Sequence, residues 1–235
     1  MMIIEQFSWW NIVPSLVGGL MSAASAVGMF YLAQRTERKK REAEGRRKSA
    51  QAAFEGFWKL RAIAAGQINL NREITDQYIE ARLSGAEDLL PANKVLGLLG
   101  APNGYEHLAA SEYLFLINQR KAELIAEIDL VVRRAMNNEV STQKYNELRI
   151  DFEEFIVTNA DLVVPHTGTR VSVELKGIAG SIADIKISRL NNLLGQIEEH
   201  LDEDCKNSKK VVEDFLMAAR AEFGEDFPKF KFKWE

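Results

Sequence analysis

Much of the usual vocabulary of chemistry is missing from this chain. It has one cysteine, Cys205, which excludes an intramolecular disulfide framework and fits a reducing compartment. Its three histidines, His107, His166 and His200, stand apart, with no His-x-x-x-His, Glu-x-x-His or Cys-x-x-Cys spacing to seat a metal. No Gly-x-Ser-x-Gly, Walker or kinase pattern occurs, so nucleophile, base and orienter cannot be nominated together. The chain is therefore expected not to be an enzyme and to need no cofactor. Only five prolines interrupt its 235 residues, which favours long helices.

Charge is missing too, in one place. Between Glu5 and Arg35 there is no Asp, Glu, Lys, Arg or His, and residues 12–33 are apolar or small apart from Ser15, Ser22, Ser25 and Tyr31. About 20 such residues, rising about 1.5 Å each, match a hydrocarbon core about 30 Å thick. The run reads as a single transmembrane helix. A cleavable leader would place its positive charge before a shorter apolar core, and an interfacial helix would carry charge along one face. Here the positive charge comes after the run. Residues 35–48 hold eight basic side chains, among them Arg35, Arg38, Lys39, Lys40 and Arg41, against three acidic ones. Basic flanks stay on the cytoplasmic side, so the N-terminus is expected outside and the body inside, as in a bacterial inner-membrane protein. Arg35 to Arg41 would then meet anionic headgroups. Phe7, Trp9 and Trp10 on one side, and Phe30 and Tyr31 on the other, suit the two interfaces.

Small residues recur every fourth position within the run, as Ser15, Gly19 and Ala23 and, one row over, Gly18, Ser22 and Ala26. Lipid is as apolar as leucine, so membrane helices associate where small residues let backbones approach. These rows predict self-association or pairing with a partner span. Pro14 falls in the first turn, where its missing N–H costs little.

Residues 49–235 differ, with 22 basic against 30 acidic side chains. A body of net charge −8 has no reason to seek nucleic acid. From Thr36 to about Ser84 no proline intervenes, and Leu60, Ile63, Gln67, Leu70, Ile74, Gln77 and Ala81 alternate by three and four. This is a heptad-like seam with polar lapses at the glutamines, weakened by Gly45, Gly56 and Gly66. A turn-rich connector, residues 85–104, leaves room for one short helix around residues 93–99. Further helices are predicted over residues 105–137, from Ser141 or Thr142 to Thr158, from Thr169 or Arg170 to Cys205, and from Ser208 to Phe223. Val171, Val173 and Leu175 alternate like a strand, but the longer helical pattern through Leu193, Ile197 and Leu201 is expected to prevail.

Two polar clusters invite chemistry. Glu198, His200, Asp202 and Asp204 lie one turn apart in pairs, yet all sit at one helix end, so a solvated acidic face is expected rather than a metal site. His166 precedes only one glycine, Gly168, which is too little for a phosphate loop. The tail is more distinctive. Phe230, Phe232 and Trp234 alternate with Lys229, Lys231 and Lys233, which places three aromatics on one side of an extended segment. They should dock somewhere: on the chain's own body, on a partner, or on the membrane.

The sequence thus predicts an all-α protein with four segments. These are an extracytoplasmic end and span (1–34), a basic juxtamembrane segment (35–48), a cytosolic bundle of about five helices, partly coiled-coil-like (49–223), and an aromatic–basic tail (224–235). Its expected role is an oligomeric scaffold or partner-binding subunit of a membrane complex. The alternative is an effector whose clustered spans permeabilise the membrane, as a toxin or defence protein does. Its expected partners are an anionic bilayer and a second copy or partner membrane protein.

Overall fold

A computed structural model describes the backbone of residues 13–99, 104–160, 162–165, 171–230 and 234, with side chains from residue 25 onward outside the two strands. Contacts divide the chain into two compact units, residues 1–49 and residues 50–235. The fold is helical. Its elements are α1 (Val13–Leu83), α2 (Pro91–Lys94), α3 (Ala110–Asn118), α4 (Ala122–Asn159), β1 (Leu162–Pro165), β2 (Val171–Glu174) and α5 (Ile178–Phe223), followed by a 3-10 turn at Gly224–Asp226.

In the first unit, every described residue from Ser25 to Ser49 is exposed. Among the described residues, no helix is long and apolar enough to cross a membrane. Of the uncharged run that predicted a span, residues 6–12 and the side chains of residues 13–24 lie outside the described residues. Side chains are described from Ser25, and Arg35 follows ten residues later.

In the second unit, the predicted seam on α1 is the buried face. Leu60, Ile63, Gln67, Leu70, Ile74 and Ala81 are buried, and Gln77 is half-buried. The helix stops at Gly85, whose φ of +72° lets the Ala86 N–H close back onto the Ala81 carbonyl at 2.8 Å.

Two breaks predicted in the second half of the chain are absent. Residues 137–142 were expected to separate two helices, but α4 runs through them. Thr142 turns inward instead of capping, and Val131, Val132, Ala135 and Tyr145 continue the same buried face. The chain breaks earlier, at Arg120 (φ +57°), where the Lys121 N–H bonds the Leu116 carbonyl at 2.9 Å. Likewise Ser208 caps nothing. It is buried inside α5, which is continuous to Phe223. The strand-like alternation, set aside in favour of a helix, is a strand after all. Val171–Glu174 pairs antiparallel with Leu162–Pro165, Val163 facing Val173, and α5 starts only at Ile178. Strand pairing joins two segments, and a helical count along one segment cannot register that.

Along each long helix the core has two parts. One gathers Phe57, Leu60 and Ile63 of α1, Phe115 and Leu116 of α3, Ile128 and Val132 of α4, and Phe215 and Phe223 of α5. The other joins Leu70 and Ile74 to Ala92, Val95 and Leu98, to Tyr145, and to Leu190, Leu194, Ile197 and Leu201. α4 therefore runs parallel to the second half of α1, and α5 returns antiparallel to both. Between the two apolar parts lies a polar waist. Asn138 Nδ2 bridges Gln67 Oε1 (3.1 Å) and Asp204 Oδ2 (3.5 Å), and Arg134 Nη1 meets Asp204 Oδ1 at 2.6 Å.

Candidate functional site

Of the small-residue rows, Ser15, Gly18, Gly19, Ser22 and Ala23 lie outside the residues whose side chains are described; Ala26 is exposed. The same helix exposes Val27, Met29, Phe30, Tyr31 and Leu32, each by 55–67%. Beyond them Arg35, Arg38, Lys39, Lys40 and Arg41 are all exposed, and two make one-turn ion pairs: Arg38 with Glu42 at 3.2 Å and Arg41 with Glu37 at 2.5 Å. An apolar helical stretch thus meets a basic one with no described residue covering either.

The tail folds back on the body. The Phe230 ring packs against Phe54, Phe57 and Trp58, and its carbonyl accepts from Arg220 Nη2 at 2.7 Å. Trp234 Nε1 donates to Glu213 Oε1 at 3.1 Å, with Lys209 over its ring. Phe232 lies outside the described residues. Phe227, wholly buried, carries the chain from the end of α5 to this patch.

The acidic run near the end of the chain does not act as one cluster. Asp204 is buried and paired with Arg134, Asp202 accepts from Asn71 Nδ2 at 2.8 Å, and His200 stays more than half exposed. Among the described residues no three ligating side chains converge on a point that could hold a metal. His166 lies outside the described residues. Cys205 is buried in the second part of the core, and burial pushes its thiol up to about 11.

What the sequence did not assemble is a cleft of about 900 Å³ between α1 and α4, opening beside the polar waist. Gln67 and Thr142, each 1% exposed, form its floor. Glu73, Asp76 and Glu80 follow one another along α1 at helical spacing, and Glu139 lines the cleft from α4, with Arg72 the single basic residue in the lining. Tyr105 closes one end. Its hydroxyl rests on the α1 backbone at Gly66, where any Cβ would collide with it. Burial, with Glu139 nearby, pushes the Tyr105 phenol up to about 12, so it is neutral at ordinary pH.

One wall is an extended segment laid along the helices and held by side chains. Gln77 pairs with it twice, donating to the Gly97 carbonyl and accepting from the Leu96 N–H, both at 2.7 Å. The Leu99 N–H bonds both Glu73 oxygens at 2.9 Å, and Asn146 brackets Leu98 from the other side. Burial holds the Glu73 carboxyl above its ordinary range, opposed by the Leu99 N–H. The one sequence signal for this site was the pair of polar lapses, Gln67 and Gln77, in an otherwise apolar seam.

Compared with known proteins, the chain matches no family model, no curated protein and no solved structure.

Proposed function

We propose that this protein is a membrane-anchored helical scaffold, held by its N-terminal run and presenting the body of residues 50–235 at the cytosolic surface. The observation that carries the reading is the helical stretch of Val27, Met29, Phe30, Tyr31 and Leu32, each more than half exposed, directly before a basic helix. Such an apolar surface is unstable in water, and lipid covers it without a protein partner. The uncharged sequence that precedes it extends the apolar length to that of a bilayer. Arg35, Arg38, Lys39, Lys40 and Arg41 then lie at headgroup depth and set the body on the cytosolic side. The small-residue rows supply the contact between copies.

Membrane fractionation of the full chain tests the anchor. Alkaline carbonate should leave it in the pellet. A wild-type chain found in the carbonate supernatant overturns the proposal. A C-terminal reporter active only outside the cytosol should stay silent, and a strong signal reverses the orientation.

A further inference from the structure

The hairpin between α4 and α5 has one guarded edge and one open edge. Among the described residues its sheet has two strands, and a two-stranded hairpin by itself is only marginally stable in water. The register pairs Leu162 with Glu174, Val163 with Val173, Val164 with Ser172 and Pro165 with Val171. Bonded and non-bonded pairs alternate along an antiparallel ladder, and Pro165 has no N–H to give. The pairs Pro165–Val171 and Val163–Val173 are therefore the non-bonded ones, and their backbone polar groups turn away from the ladder. On β1 that outer row contains a proline, the residue with which natural sheets block a free edge. On β2 the outer row is Val171 and Val173, with every donor and acceptor intact.

We infer that β2 pairs antiparallel with β2 of a second copy, joining the two hairpins into one sheet. The strand is its own complement. With Ser172 on the two-fold axis, Val171 of each copy meets Val173 of the other, and every outward group of both strands is paired. Centring the axis on either valine would leave half of them unpaired. Read antiparallel against itself, the sequence Arg170-Val171-Ser172-Val173-Glu174 sets valine against valine and arginine against glutamate. The surrounding charge suits a like partner as well. Residues 149–189 hold five basic against six acidic side chains, in a body of net charge −8, so two copies meet here with little repulsion. Ile178, Ile182 and Ile185 follow β2 at the spacing of one face of α5, all exposed, and add apolar surface for a partner to cover. This contact adds to the span pairing proposed above and does not depend on it.

Disulfide trapping of the full chain in mild detergent tests the pairing. Ser172 would face its own copy at a non-bonded pair, with about 4.5 Å between Cα atoms, which is within disulfide reach. Ser172→Cys should cross-link to a dimer under mild oxidation at least tenfold faster than Val163→Cys on the guarded strand. Wild type, whose single Cys205 is buried, should give no dimer. Adding Val173→Pro to Ser172→Cys removes an outward N–H, leaves the hairpin's own bonds in place, and should slow trapping tenfold or more. Trapping should persist when Gly18→Leu and Gly19→Leu separate the spans, so a failure of span pairing leaves this result standing. In that same background Ser172→Lys, which sets like charges opposite each other, should raise the dimer dissociation constant at least tenfold by sedimentation. The inference is overturned if Ser172→Cys traps no faster than Val163→Cys, or if trapping is lost with the spans separated. It is overturned too if either Val173→Pro or Ser172→Lys leaves the dimer unchanged.

Discussion

The Tyr145 hydroxyl donates to the Val95 carbonyl at 2.6 Å inside the core formed by Leu190, Leu194 and Ile197, tying the connector between α1 and α3 to the middle of α4. Tyr145 is wholly buried, and burial pushes its phenol from 10.0 up to about 12. A raised acid means that the folded chain keeps its proton while the unfolded chain loses it. Stability is therefore complete below pH 10 and falls as the pH climbs to about 12. Tyr145→Phe should lose about 1–2 kcal/mol at neutral pH, because the Val95 carbonyl is left unpaired. It should also flatten the alkaline decline. Urea unfolding from pH 8 to 12 checks both; a variant that declines as steeply as wild type would assign the alkaline loss to other groups.

The polar waist makes a second prediction. Arg134 and Asp204 meet at 2.6 Å, and Asp204 is nearly inaccessible. Removing one partner of a buried pair strands the other, so Arg134→Met should destabilise by about 3 kcal/mol. Arg134→Met with Asp204→Leu should recover most of that loss, since replacing both charges by apolar groups is often close to neutral. Denaturant unfolding of the single and double variants measures the coupling.

Glycines in the helices should respond in opposite directions. A Cβ at Gly56 would sit 2.9 Å from the Glu112 Cβ of α3, whereas nothing lies within 4 Å at Gly195. Helix propensity alone favours alanine at both by about 1 kcal/mol. Gly195→Ala should raise the thermal midpoint by a few degrees, and Gly56→Ala should lower it. Circular dichroism melts decide this.

The tail should behave as part of the fold. Deleting residues 228–235 removes Phe230 from Phe54, Phe57 and Trp58 and breaks the Arg220 bond to its carbonyl. The deletion also removes Trp234 from Glu213 and Lys209, and partial burial of two aromatic side chains points to a loss of about 2–4 kcal/mol. Equal melting temperatures with and without the tail would mean that it contributes nothing to the body's stability.

Span association has its own test. Replacing Gly18 and Gly19 by Leu should separate the helices at the proposed seam, at about 1–2 kcal/mol. A membrane two-hybrid signal that is strong in wild type and unchanged in the double variant would place the contact elsewhere.

The sequence by itself determined the helical class, the uncharged run with its basic flank, and the buried face of α1 from Leu60 to Ala81, because each depends on charge or periodicity within one continuous segment. The tertiary structure decided the rest. Thr142 and Ser208 look locally like helix starts, but burial against neighbouring helices outweighs a cap worth about 1 kcal/mol, and the helices run through. Val171 and Val173 needed a partner strand to declare themselves, and the tail needed the aromatic patch of Phe54, Phe57 and Trp58. In the cleft, Gln67 and Gln77 were legible as lapses in the seam. Tyr105, Glu139 and Thr142 were not, because residues so far apart in sequence become neighbours only when α4 lies parallel to α1. Convergence of that kind belongs to helix packing, and no single-segment pattern encodes it.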